Sequence, residues 1–123
     1  MNKRPVYLAA GGTGGHIFPA LAVAETLKTR GYSTHLFTDR RGAELLSGAS
    51  SLPAKLHIIA AASPFQNGTT KRIFAVAKLA AGAFASMCHF IFRRPALIIG
   101  FGGYPSFAPV ITGRLLGIPV LLH

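Results

Sequence analysis

Five short, mostly apolar runs alternate along this chain with longer segments of helical period, the pattern of successive βα units that build a parallel sheet. Strands are predicted at Pro5–Ala10, Ser33–Thr38, Leu56–Ala61, Ala96–Gly100 and Ile118–Leu122. Helices are predicted at Pro19–Arg30, Gly42–Ser47, Lys71–Phe92 and Ser106–Leu116. Pro19 and Pro109 suit first helical turns, where a missing N–H costs nothing. Gly31 and Gly117 follow the first and last helices at the position where a left-handed residue closes a helix. The remaining segments, Gly11–Ile17, Ala62–Thr70 and Gly100–Tyr104, are rich in turn formers. The expected fold class is α/β, a Rossmann-like doubly wound parallel sheet.

The third predicted helix is apolar nearly all round. A core stripe of Ile73, Val76, Ala77, Ala80, Phe84, Met87 and Ile91 fits a helical period and leaves Phe74, Leu79 and Phe90 on other faces. Lys71, Arg72 and Lys78 crowd its start, and Arg93 and Arg94 its end. The apolar run between Lys78 and Arg93 is shorter than the roughly 20 residues of a membrane span, but it suits a helix lying in a lipid interface. Lys71, Arg72, Phe74, Lys78, Leu79, Arg93 and Arg94 are therefore the candidate membrane-association residues, the alternatives being a buried crossover helix with solvated ends or a protein–protein patch.

Length and charge sharpen this picture. The 123 residues make one domain. Lys and Arg number 13 against 3 Asp and Glu, and no acid follows Glu44. Such a chain attracts anions: phosphorylated substrates, anionic lipid or nucleic acid. The mean hydropathy of +0.44 favours lipid or phosphate, and no nucleic-acid partner is expected. A single cysteine, Cys88, excludes an intrachain disulfide framework and fits a reducing compartment. Val6–Ala10 is too short for the apolar core of a secretory signal, so a cytoplasmic location is expected.

The candidate chemistry lies in two glycine-rich loops. Gly11-Gly12-Thr13-Gly14-Gly15-His16 follows the first strand, and Gly100-Phe101-Gly102-Gly103-Tyr104 follows the fourth. Each joins a strand to a helix start, where free N–H groups and the helix dipole favour an anion and where glycine lets a phosphate approach the backbone. In a doubly wound sheet these two strands are neighbours at the switch point, so the pair of loops could hold a diphosphate. The alternative is that the glycines only make tight turns. Neither loop is a P-loop, since no Gly-Lys-Ser/Thr follows, and neither completes a GxGxxG. His16 is a candidate general base or phosphate-positioning group. Asp39, after the second strand, is placed either as a ribose-binding acid or as a solvated acid beside Arg40 and Arg41. His35, His57 and His89 share no spacing and have no Cys or carboxylate partner in the sequence, so no metal site is expected.

The segments GGTGGHIFPALAVAETLKTRGY (11–32) and GFGGYPSFAPVITGRLLGIPVLLH (100–123) closely resemble the N-terminal domain of the MurG family. These are bacterial glycosyltransferases that convert lipid I to lipid II in peptidoglycan synthesis. The resemblance covers essentially the whole chain, although residues 40–95 match in pattern only. It implies the acceptor-binding half of a two-domain GT-B enzyme. It further implies an inverting, metal-independent transfer with no cofactor, in which the acceptor C4 hydroxyl attacks C1 of the donor sugar. The acceptor is a lipid-linked diphosphate, undecaprenyl-diphospho-N-acetylmuramoyl-pentapeptide, and the donor is UDP-N-acetylglucosamine. By this resemblance Gly11, Gly12, Thr13, Gly14, Gly15, Gly102, Gly103 and Tyr104 bind the acceptor diphosphate, and His16 is the candidate base. The location implied is the cytoplasmic face of the bacterial plasma membrane, held peripherally on its anionic surface.

The family continues beyond the residue matching His123 with Glu-Gln-Asn and a donor-binding domain, which is expected to be missing from this chain. Other readings are the membrane-associated half of a split lipid-linked sugar transferase, a nucleotide- or sugar-phosphate-binding module, and a membrane-bound scaffold.

Overall fold

In the computed structural model, which describes residues 3–61 and 67–123, the apolar runs form one parallel sheet flanked by helices. The strands are β1 (Val6–Ala9), β2 (Thr34–Thr38), β3 (Lys55–Ile58), β4 (Leu97–Gly100) and β5 (Val120–Leu122). The helices are α1 (Gly14–Thr29), α2 (Arg40–Leu45), α3 (Thr69–Phe92) and α4 (Tyr104–Leu115). The order across the sheet is β3-β2-β1-β4-β5, and every pairing is parallel. The topological switch therefore falls between β1 and β4, where a doubly wound sheet opens a crevice. Of the predicted loop at 62–70, residues 62–66 lie outside the described residues.

Strand alternation sorts the side chains onto two cores. On one face Val6, Leu8 and Leu36 pack with Ile17, Ala20 and Ala24 of α1. On the other, Tyr7, Ala9, Phe37 and Ile98 pack with Phe90 of α3 and Ala108 of α4. All four residues of β1 are buried, as the central strand of such a sheet must be.

Helix α1 begins at Gly14, five residues earlier than Pro19 suggested. Thr13 is extended and its carbonyl accepts from the N–H groups of His16 and Ile17, which starts the helix inside the glycine loop. Pro19 is thus interior. Its ring crowds the carbonyl four residues back, which here belongs to Gly15. Helix α4 also starts early, with Pro105 in its first turn and Pro109 interior.

The expected core stripe of α3 is wrong. Its buried residues are Ala75, Gly82, Ser86 and Phe90, with Leu79 half-buried between them. Ile73, Val76, Phe84 and Ile91 point outward and are exposed by 63%, 53%, 70% and 64%. Small residues line the inner face because the neighbouring backbone comes close. A Cβ on Gly82 would stand 2.7 Å from the Ala60 carbonyl oxygen and 3.4 Å from Ala108 Cβ. Thr112 of α4 also donates to the Ala83 carbonyl at 3.3 Å. At 24 residues, α3 is long and apolar enough to cross a membrane by length and composition, contrary to the shorter estimate from Lys78 to Arg93. In this fold it lies against α4, and Phe90 near its end packs with Tyr7, Phe37 and Ile98 of the sheet.

Candidate functional site

Ala9 and Gly100 are paired across β1 and β4, so the two glycine loops leave the sheet side by side. They are fastened together. Gly11 N–H donates to the Gly102 carbonyl at 2.8 Å, and Phe101 N–H donates to the Ala9 carbonyl at 2.8 Å. A Cβ on Gly103 would come within 2.5 Å of Gly11 Cα, and Gly103 has φ +83°. Both the contact and the conformation demand glycine there. Gly102 has φ +100° and lies under the imidazole of His16, 3.1 Å from Nε2 measured from an added Cβ. His16, the third residue of α1, therefore lies across both loops, and its Nδ1 is 3.0 Å from Thr13 Oγ1.

Helices α1 and α4 both begin at this mouth. Neither Thr13 nor Gly103 supplies a side-chain cap. The N–H groups of His16, Ile17 and Ser106 donate to the cap carbonyls of Thr13 and Gly103, and Pro105 has none, so those of Gly14, Gly15 and Tyr104 are the ones that can receive an anion. Gly15 borders the open side, because nothing lies nearer to an added Cβ there than Thr13 Oγ1 at 3.9 Å. Tyr104, half-buried, opens α4.

Not every glycine faces the opening. The Gly11 amide is spent on the other loop. Gly12 makes room for Asp39, whose Oδ1 would be 2.6 Å from an added Cβ, and for Arg41. The side of Gly14 that a Cβ would occupy abuts the ring of Phe18, while its N–H stands at the start of α1. Gly11 and Gly12 thus have packing roles at this site. Asp39 is 7% exposed rather than solvated. It caps α2 by accepting from Gly42 N–H at 3.0 Å, and Arg41 Nε is 3.6 Å away.

Beside Asp39 a cavity of about 540 Å³ opens between α2, the end of β3 and α3. Arg40, Arg41 and Lys78 line it with Ile58 and Ile59. Sequence reasoning set Arg40 and Arg41 aside as neighbours of Asp39 and sent Lys78 to the membrane. The fold puts all three on one concave wall beside the first loop. Their signal was the run of cations after β2, which no helical or strand period links to Lys78.

The membrane candidates are dispersed differently from expectation. Lys71, Arg72, Phe74 and Arg93 are exposed, and Leu79 is half-buried. Arg94 is exposed, yet its Nη2 donates to the Leu116 carbonyl at 3.0 Å, capping the end of α4. The outward apolar surface of α3 is carried by Ile73, Phe74, Val76, Phe84, Ile91 and Phe92.

The three histidines judged unrelated are brought together. His35 Nδ1 lies 2.7 Å from His57 Nε2, and His57 meets His89 edge-on with ring centroids 4.6 Å apart. Burial first, then His57, His89, Arg93 and Lys55, push His35 down to about 4. Burial, with His89 and Lys55, pushes His57 down to about 4, and His89 is lowered for like reasons.

Residues 6–123 match the glycosyltransferase family 28 N-terminal domain. The chain belongs to this family. Among its relatives, a protein of Agrobacterium fabrum named UDP-N-acetylglucosamine--N-acetylmuramyl-(pentapeptide) pyrophosphoryl-undecaprenol N-acetylglucosamine transferase is 41% identical over all of this chain. A protein of the same name from Sinorhizobium medicae is 40% identical, again over the whole chain. The family 28 domain seen here spans about a third of the length of these relatives, 32% in each case. The crystal structure of Acinetobacter baumannii MurG superposes with a TM-score of 0.78 at 34% identity, covering 98% of this chain and 35% of that one. CalG4, the calicheamicin glycosyltransferase, shares the fold at a TM-score of 0.66 and 21% identity, over 99% of this chain and 30% of its own. The doubly wound, GT-B-type architecture read from the sequence is thereby established.

Proposed function

We propose that this chain is the acceptor-binding domain of an enzyme that moves N-acetylglucosamine from UDP-N-acetylglucosamine to undecaprenyl-diphospho-N-acetylmuramoyl-pentapeptide, forming lipid II. The observation that carries the proposal is the joined pair of glycine loops, with two uncapped helix starts opening at one mouth beside a wall of Arg40, Arg41 and Lys78. Amides at helix starts and guanidinium groups are the donors that diphosphates take. The names of the relatives supply the sugar and lipid.

In this reading the acceptor diphosphate sits over Gly14, Gly15 and the start of α4 at Tyr104, with Gly102 and Gly103 shaping the floor. His16 takes the proton of the attacking C4 hydroxyl. That role requires Nδ1–H to donate to Thr13 Oγ1, which leaves the Nε2 lone pair free. The donor binds to a second domain of the whole enzyme, and the transfer inverts the anomeric centre without metal or cofactor. The location is peripheral, on the cytoplasmic face of the plasma membrane. The outward face of α3, flanked by Lys71, Arg72 and Arg93, supports that attachment, since basic residues near anionic lipid contribute about 1 kcal/mol each.

The test is equilibrium binding of a short-chain polyprenyl diphosphate to the purified chain. Binding that survives saturating UDP-N-acetylglucosamine and exceeds that of the matching monophosphate is expected. Preference for the UDP-sugar, with no affinity for the diphosphate, would overturn the assignment.

A further inference from the structure

Beneath α3, away from the glycine loops, His35 of β2, His57 of β3 and His89 of α3 face one another. One ring nitrogen of each lies within 4.8 Å of the other two. His35 is 3% exposed, and His89 Nε2 is buried with no hydrogen-bond partner among the described residues. In a domain core a bare ring nitrogen is costly, because a buried polar atom without a partner forfeits its hydration. Nothing in the acceptor site uses any of the three. His35 is level with Tyr7 in the sheet, whereas the first loop begins after Ala9.

We infer that His35, His57 and His89 form a three-imidazole site for a borderline divalent cation of the zinc class, which ties α3 to the sheet. The donor set argues for this class: imidazole suits zinc, copper and nickel, whereas calcium and magnesium take oxygen ligands. The chain's acids are Glu25, Asp39 and Glu44, and none belongs to the cluster. Neutral imidazole is the metal-binding form, and these rings are held neutral at pH 7 by their burial.

The geometry is close to what a metal needs. Tetrahedral zinc with Zn–N near 2.0–2.1 Å sets its nitrogens about 3.3 Å apart. The His35–His57 separation of 2.7 Å, now bridged by a proton, opens slightly, and the wider separations close. Lys55 and Arg93 face the cluster and oppose a dication, so they favour an anion such as hydroxide or chloride in the fourth position. The Tyr7 hydroxyl is not a ligand, because it donates to the Arg93 carbonyl at 2.7 Å. A bound ion would cross-link three elements far apart in sequence and stabilise the folded state in proportion to its occupancy.

The experiment is a zinc titration of the purified chain, stripped with a chelator and read by competition with a chromogenic indicator. One equivalent bound at micromolar or tighter Kd, with a rise in Tm, is expected. His57→Gln and His89→Gln should each weaken zinc binding at least 10-fold, whereas His16→Ala should not. Failure to saturate, binding indifferent to both glutamine variants, or an equal loss in His16→Ala would each overturn the site. Should the glutamine variants not fold, cobalt(II) added to the unaltered chain decides. Intense visible bands of a four-coordinate ion support the site, and the weak bands of an octahedral one overturn it.

Discussion

Gly11 and Gly103 pack backbone to backbone, so close that a Cβ on Gly103 would stand 2.5 Å from Gly11 Cα. This contact, with the Gly11–Gly102 hydrogen bond, makes one rigid floor out of two loops that are some ninety residues apart. Glycine at Gly103 is therefore structural first, and its effect on ligand binding follows from the floor it completes.

Gly103→Ala should cost about 2 kcal/mol or more of unfolding free energy, from its positive φ and the backbone clash together. Gly15→Ala, with open space before it, should change stability by less than about 0.5 kcal/mol yet weaken diphosphate binding. Urea unfolding of both variants, alongside polyprenyl-diphosphate binding, checks the contrast. Equal destabilisation would remove the distinction between floor and mouth.

In an enzyme that contains this domain, His16→Ala should lower kcat by roughly 10²–10⁴-fold, the usual range for a lost general base. Thr13→Val should lower kcat less while leaving acceptor KM nearly unchanged, because it loosens the ring without touching the amides. Steady-state kinetics on both variants separates a base from a phosphate-positioning group, which would instead show itself in KM.

The cavity wall makes a separate expectation. Arg41→Met should weaken diphosphate binding and flatten its dependence on salt, since a charge-assisted contact is lost. Binding measured at two ionic strengths reads the effect. An unaltered salt dependence would place the diphosphate away from Arg41.

On α3 the two faces should respond oppositely. Replacing Phe84 and Ile91 by Ser should reduce binding to anionic vesicles with little change in Tm, because both side chains already face outward. Phe90→Ala should cost about 3–5 kcal/mol, since Phe90 is buried in the core under the sheet. Vesicle flotation and thermal unfolding distinguish the two outcomes.

Acid should destabilise the metal-free domain within a defined window. In the unfolded chain the imidazoles titrate near 6.5, while folded His35 and His57 are pushed down to about 4. Between those values the unfolded chain takes up protons that the folded one refuses. Stability is therefore complete above about pH 6.5 and falls as pH drops toward 4. Lys55 and Arg93 face the same rings, and the Tyr7 hydroxyl, pushed up to about 12 by burial, stays protonated throughout. Denaturant midpoints measured from pH 7.5 to 4.5 check this. A shallower fall in His35→Phe/His57→Phe than in the unaltered chain is expected, with the remainder left to His89.

The order of strands and helices, the parallel sheet and the two glycine loops were legible in the chain by itself. Each is encoded locally, by runs of apolar residues, by turn formers and by glycines beside helix starts. Helix ends were less legible, since Pro19 marks a first turn only when nothing upstream can begin the helix, and Thr13 can.

The inner face of α3, the cluster of His35, His57 and His89, and the shared wall of Arg40, Arg41 and Lys78 were decided only by tertiary structure. A hydrophobic period tells which residues share a face, but not which face meets the sheet. On a helix apolar all round, the close approach of Ala60 and Ala108 selects Gly82 and its small neighbours over the bulkier stripe. Likewise no spacing along the chain relates residues 35, 57 and 89. They meet because parallel pairing sets β3 beside β2 and the crossover helix returns over both.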